Sequence, residues 1–95
     1  SKFPAVRRDL SLIFDEKVVY NDIRDLVETC AGSILSSMNI FDIYQGEECG
    51  LGKKSIALSL TFQAASRTLV DEEINQVIDN IVKALHTTFN ATMRA

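Results

Sequence analysis

The chain has 95 residues, 46% hydrophobic and 24% charged, the make-up of one folded domain with no room for a second. No apolar run approaches the roughly 20 residues of a membrane-spanning helix, and no charged-then-apolar leader opens the sequence. A net charge of −3, from 10 basic and 13 acidic residues, argues against a surface that grips nucleic acid mainly by neutralising phosphates.

Residues 8–14, "RDLSLIF", predict a first strand with Leu10, Leu12 and Phe14 on one face and Asp9, Ser11 and Ile13 on the other. Residues 22–32 carry Ile23, Leu26, Val27 and Cys30 at helical spacing, with Asn21 as the expected N-cap and Gly32 as the expected C-cap. Residues 37–44, "SMNIFDIY", form a second strand, followed by a loop marked by Gly46, Gly50 and Gly52. Residues 54–62, "KSIALSLTF", alternate cleanly: Ile56, Leu58, Leu60 and Phe62 point one way and Ser55, Ala57, Ser59 and Thr61 the other. Such alternation means one packed face and one open or lightly covered face. Residues 70–89 make a long amphipathic helix whose apolar stripe is Ile74, Val77, Ile78, Ile81, Val82 and Leu85. Asp71, Glu72 and Glu73 at its start and Lys83 and His86 near its end suit the helix macrodipole. Residues 91–95 supply a short last strand.

The order β-α-β-β-α-β predicts an α+β, ferredoxin-like domain spanning 1–95, with both helices on one face of a four-stranded antiparallel sheet. Strand parity then assigns the other face. Phe41, Ile43 and Met93 are expected in the core. Asp9, Ser11, Asp42, Tyr44, Ser55, Ala57, Ser59 and Arg94 are expected on the open side. That face is polar and hydroxyl-bearing, with one aromatic ring and one arginine, and suits a planar ligand such as a nucleobase: Tyr44 to stack, Asp42, Ser11 and Ser55 to hydrogen-bond, Arg94 to reach a phosphate or a base.

Catalysis has little to stand on. His86, the single histidine, is expected to be solvated near a helix end, and the acids at 47–48 and 71–73 read as a loop and a helix start, not an acid–base pair. "GLGK" (50–53) lacks the GxxxxGK[ST] spacing and lies between strands. Cys30 and Cys49 have no CxxC spacing, so no zinc site or disulfide framework is expected, and such usage fits a reducing compartment. Cys30 falls on the apolar side of its helix; Cys49 lies in a Gly- and Glu-rich loop and is not read as a nucleophile.

Four stretches, "FPAVRRDLSLIF", "FDIYQG", "GKKSIALSLTFQ" and "RTLVDEEIN", occur in order at family-like spacing. Together, over residues 3–94, the chain closely resembles the ferredoxin-fold anticodon-binding domain that closes the β subunit of bacterial phenylalanyl-tRNA synthetase. The resemblance implies a piece of a longer, cytoplasmic ligase chain. It implies partners in the anticodon of phenylalanine tRNA, the rest of the β subunit and the α subunit, with no DNA and no membrane. It places catalysis, with ATP and magnesium, elsewhere on the parent enzyme and no cofactor in this domain. Tyr44 matches the tyrosine on which the first anticodon base stacks, Asp42 an acid near that base, Ser55 the serine of a KS pair, and Arg94 a C-terminal arginine; Ser11 matches a position often occupied by alanine. A terminal module of a large synthetase need not supply the electrostatic grip alone, so the acidic net charge is no longer an objection. Two departures stand out: Val70 where Thr or Ser is common, which removes an N-cap oxygen unless Asp71 takes over, and Asn90 where Gly is common.

The alternatives fit less well. A small-molecule regulatory domain of the ACT type shares the element order, but its site tends to use a glycine that "DEKVVY" (15–20) lacks. An acylphosphatase would want an arginine in that same loop. A generic RNA-recognition motif would carry exposed aromatics on the third strand, where this chain has Ser, Ala, Ser and Thr.

Overall fold

A computed structural model describes residues 3–46 and 49–94. The acidic pair at 47–48 and the final residue of the last expected strand lie outside the described residues. The elements run β1 (Val6–Asp15), α1 (Tyr20–Ala31), β2 (Leu35–Tyr44), β3 (Lys53–Phe62), α2 (Asp71–Phe89) and β4 (Thr92–Met93), with one tight helical turn over Gly32–Ile34. The sheet order is β2-β3-β1-β4, antiparallel throughout, so β1 and β2 flank β3 as a split βαβ unit.

Alternation in β1 and β3 does what the sequence predicts. Leu10, Leu12 and Phe14 pair across the sheet with Leu58, Ile56 and Lys54, and the apolar set of both strands joins Ile23 and Val27 of α1 and Ile74, Ile81 and Leu85 of α2 in one buried core. Both helices therefore cover the same face. Val77, Ile78, Val82 and Cys30 are partly buried against that core, as their helical spacing requires.

The helix ends differ from expectation in two places. Asn21 is not the cap of α1. The N-cap is Val19, extended and without a side-chain cap. The reason is upstream: Asp15 closes a turn by accepting the Lys17 N–H on its carboxylate at 2.9 Å and the Val18 N–H on its carbonyl at 3.1 Å. That turn starts the helix early enough for Tyr20 to pack on the core, its hydroxyl 3.5 Å from the Met38 carbonyl. At α2, Val70 is the N-cap with no side-chain cap, so Asp71 does not take over; it pairs instead with Arg8 at 3.3 Å. The helix start is held by Glu73, whose carboxyl lies below its ordinary range chiefly because Arg67 hydrogen-bonds it at 2.6 Å, with the Val70 N–H contributing. The C-terminal ends behave as read. Gly32 follows α1 at φ 66°, and Asn90 follows α2 in the left-handed region at φ 57°, its N–H donating to the His86 carbonyl at 2.9 Å. His86, exposed, approaches the Ala91 carbonyl at 3.1 Å through Nδ1.

The larger correction is in β2. Its register against β3 shifts between Ile40, opposite Leu58, and Asp42, opposite Ala57, leaving Phe41 as the extra residue of a β-bulge. Phe41 is consequently not core. It is 54% exposed and lies on the side of the sheet away from the helices, where the Arg7 guanidinium sits 5.8 Å from its ring centroid. Ile43, opposite Ile56, keeps core parity but is 57% exposed, as is about half of Met93 opposite Leu12, because both lie on edge strands.

Candidate nucleic-acid interface

The face away from the helices is ruled by rows of residues opposite one another. One row runs Tyr44, Ser55, Ile13, Thr92; the next runs Asp42, Ala57, Ser11 and, through the Arg94 N–H donating to the Ser11 carbonyl at 2.9 Å, Arg94. All five residues expected from parity and resemblance are thus on this face. The bulge preserves rather than breaks that placement for Asp42 and Tyr44, since their partners Ala57 and Ser55 both point away from the core.

Three of the five are brought into contact. Arg94 Nη1 donates to the Ser55 hydroxyl at 3.3 Å, and the same guanidinium lies 5.6 Å from the Tyr44 ring centroid. Tyr44 remains two-fifths exposed, while Ser55 is buried. Asp42 and Ser11 flank Ala57 from opposite sides, two strand spacings or about 10 Å apart, and do not touch. Asp42 is exposed and makes no hydrogen bond or ion pair among the described residues, so its carboxylate is available as an acceptor.

This face is roofed, not bare. Ser55, Ala57 and Ser59, all outward on the central strand, are each less than a tenth exposed. Two cation–ring pairs arch over β3 from its two sides: Arg94, which follows β4, on Tyr44 at one end and Arg7 of β1 on Phe41 further along. The Arg7 guanidinium is also held by Asp9, Nε to Oδ1 at 2.9 Å. Arg7 and Phe41 are the residues the parity argument missed. A signal was present: Met38 and Ile40 have one parity and Ile43 the other, and both sets are apolar, which an uninterrupted strand facing one core does not allow.

Tyr44 is placed by the end of its own strand. Its ring folds back over Gly46, and its carbonyl lies 3.7 Å from the Sγ of buried Cys49. Beyond it, Gly50 and Gly52 take positive φ in the turn that enters β3, with Lys53 N–H donating to the Gly50 carbonyl. "GLGK" is therefore a hairpin turn between strands. An open groove lined by Glu16, Gln45, Leu51 and Lys53 adjoins this turn. No group of three or more metal-ligating side chains forms among the described residues, and no described helix is long and apolar enough to cross a membrane.

Comparison with known proteins agrees with this fold. The model of the ferredoxin-fold anticodon binding domain matches residues 1–94. Phenylalanine–tRNA ligase beta subunits from Coxiella burnetii and Acinetobacter baylyi are 45% and 43% identical over the whole chain, and that of Corynebacterium glutamicum is 42% identical over 99% of it. The chain spans about 12% of the length of such relatives. With an antiparallel sheet ordered β2-β3-β1-β4, two helices on one face and this match over nearly its full length, the chain belongs to the ferredoxin-fold anticodon-binding domain family.

Proposed function

We propose that this domain is the anticodon-reading module of a phenylalanine–tRNA ligase β subunit, and that it acts through the sheet face opposite the helices. The observation that carries the reading is the gathering of Tyr44, Ser55 and Arg94 at one end of that face, with the unpaired Asp42 carboxylate two residues along. The Tyr44 ring offers a flat apolar platform for the first anticodon base, and stacking of that kind contributes about 1–3 kcal/mol per base. Asp42 accepts hydrogen bonds from the base's amino or imino edge. Ser55, in the Tyr44 row, offers its hydroxyl beneath the Arg94 guanidinium, and Ser11 offers its own in the next row, more loosely because Ala57 separates it from Asp42. The Arg94 guanidinium starts on the Tyr44 ring, so a base entering there either takes its outer face or displaces it toward a phosphate.

The domain contributes recognition and no catalytic group. Aminoacylation takes place on the catalytic α subunit, where ATP and magnesium are used, in the cytoplasm; the β subunit holds this face against the tRNA. Tyr44→Ala in the full synthetase tests the reading. Affinity for phenylalanine tRNA is expected to fall about 5- to 150-fold, the equivalent of one lost stack, while amino-acid activation without tRNA proceeds at the wild-type rate. Unchanged tRNA kinetics would refute it.

A further inference from the structure

We infer that the same face carries a second base-stacking station, built by Phe41 and Arg7, which takes a nucleotide adjacent to the one on Tyr44. The inference rests on the reading above and extends it from one base to two. The bulge at Phe41 is what makes the station: it rotates a side chain that strand parity would bury onto the outer face, where it is 54% exposed. A large aromatic ring more than half exposed on an edge strand leaves apolar surface in water, and here it is met by a guanidinium 5.8 Å from its centroid.

The two stations share one design. Each pairs a ring on β2 with an arginine reaching from the other side of β3, and each covers outward side chains of β3 beneath it. Phe41 and Tyr44 are three residues apart on one strand with a bulge between Ile40 and Asp42, so the rings are separated by about 7–10 Å at about 3.3 Å per residue. Stacked neighbours in a duplex are only about 3.4 Å apart along the strand. Rings spaced this widely therefore suit successive bases that have been splayed out of their stack, as in a single-stranded loop. The charges suit the same occupant: Arg94 and Arg7 place two cations beside the two rings, for the phosphates between bases, while Asp42 leaves an acceptor for a base edge and Asp9 is taken up by Arg7. Asp9 also fixes the Arg7 guanidinium, so little order has to be gained on binding.

The test uses the full synthetase that contains this domain and three tRNA transcripts, each abasic at one position: the first anticodon nucleotide, the nucleotide before it and the nucleotide after it. Phe41→Leu, which keeps bulk and removes the ring, is expected to weaken binding of intact tRNA about 5- to 150-fold; Phe41→Tyr, which keeps the ring, is expected to stay within about twofold of wild type. The Phe41→Leu loss should vanish on one of the two flanking abasic tRNAs and persist on the tRNA abasic at the first anticodon position, whose loss belongs to Tyr44. Wild-type affinity of Phe41→Leu, or a loss that persists on both flanking abasic tRNAs, overturns the second station. If Tyr44→Ala alone weakens binding, the first station stands without the second. If neither variant weakens it, the anticodon reading of the face falls as well.

Discussion

A Cβ atom at position 46 would lie 2.6 Å from the Tyr44 hydroxyl oxygen and 2.9 Å from the ring carbon that bears it. Real contacts of that kind do not occur, so a side chain there displaces something, and the thing nearest is the free end of a Tyr44 side chain that can swing. Gly46 thus positions Tyr44 by being absent from the space its ring needs. Among the reading residues this is a second-order role, and it predicts a particular pattern. Gly46→Ala should leave the melting temperature within about 2 °C of wild type, since the ring can move without exposing core. It should weaken tRNA binding by several-fold, and it should add nothing in a Tyr44→Ala background, because the two changes act through one ring. Full additivity in that double variant would show that Gly46 acts by another route. Asp42 asks for less support: opposite Ala57, the smallest outward side chain of the central strand, it stands clear of neighbours and needs no partner to hold it.

At the scale of elements, legibility followed how well each segment obeyed a single period. β3 alternates without interruption over Lys53–Phe62, and its register against β1 is the one parity demanded, down to Leu10 opposite Leu58. β2 does not alternate, because a bulge between Ile40 and Asp42 interrupts it. Asp42 and Tyr44 lie beyond the bulge and keep the alternation with Ile43 that puts them on the outer face; Phe41, the bulged residue, does not keep the core parity it would share with Ile43. The first turn of α1 departs from expectation for a different reason. Asn21 is a good cap by type, but the turn closed by Asp15 and the packing of Tyr20 fix where the helix begins, and tertiary contacts outweigh a cap preference of about 1 kcal/mol. At α2 the missing cap is visible in the sequence and in the structure alike. Val70 sits at the N-cap in an extended conformation, φ −100° and ψ 152°, is 58% exposed, and caps nothing. Val70→Ser should therefore stabilise the fold: the hydroxyl can accept an orphan N–H of the first turn, little apolar burial is lost, and Glu73 already supplies the reciprocal contact to the Val70 N–H. The expected gain is about 0.5–2 kcal/mol, and each kcal/mol raises the thermal midpoint by about 4–8 °C in a domain of this size. A midpoint at or below wild type would mean that Val70 contributes packing its exposure does not reveal.

The whole molecule carries 13 acidic residues against 10 basic ones, and the face proposed to meet RNA repeats that balance in miniature, with Arg7 and Arg94 beside Asp9 and Asp42. Such a surface has no broad positive field to draw a polyanion from a distance. Its affinity must come from stacking and from short-range hydrogen bonds, which salt screens weakly. The consequence is a salt dependence that separates this mode from ordinary phosphate gripping. Each phosphate neutralised on a single strand contributes a slope of about −0.7 to the plot of log affinity against log salt, so two arginines allow a slope no steeper than about −1.4. Between 50 and 200 mM salt the domain's affinity for an anticodon stem-loop should then fall only about sevenfold, whereas a protein holding six to ten phosphates loses about a thousandfold or more over the same range. Binding of the isolated domain should also be weak, because the energy of one or two stacks must offset the ordering of a flexible loop before any surplus appears. The measurement is a titration of stem-loop RNA at several salt concentrations, beside a scrambled loop of equal length. A slope near −4, or tight binding of the scrambled loop at physiological salt, would place the affinity in charge and remove the case for reading by this face.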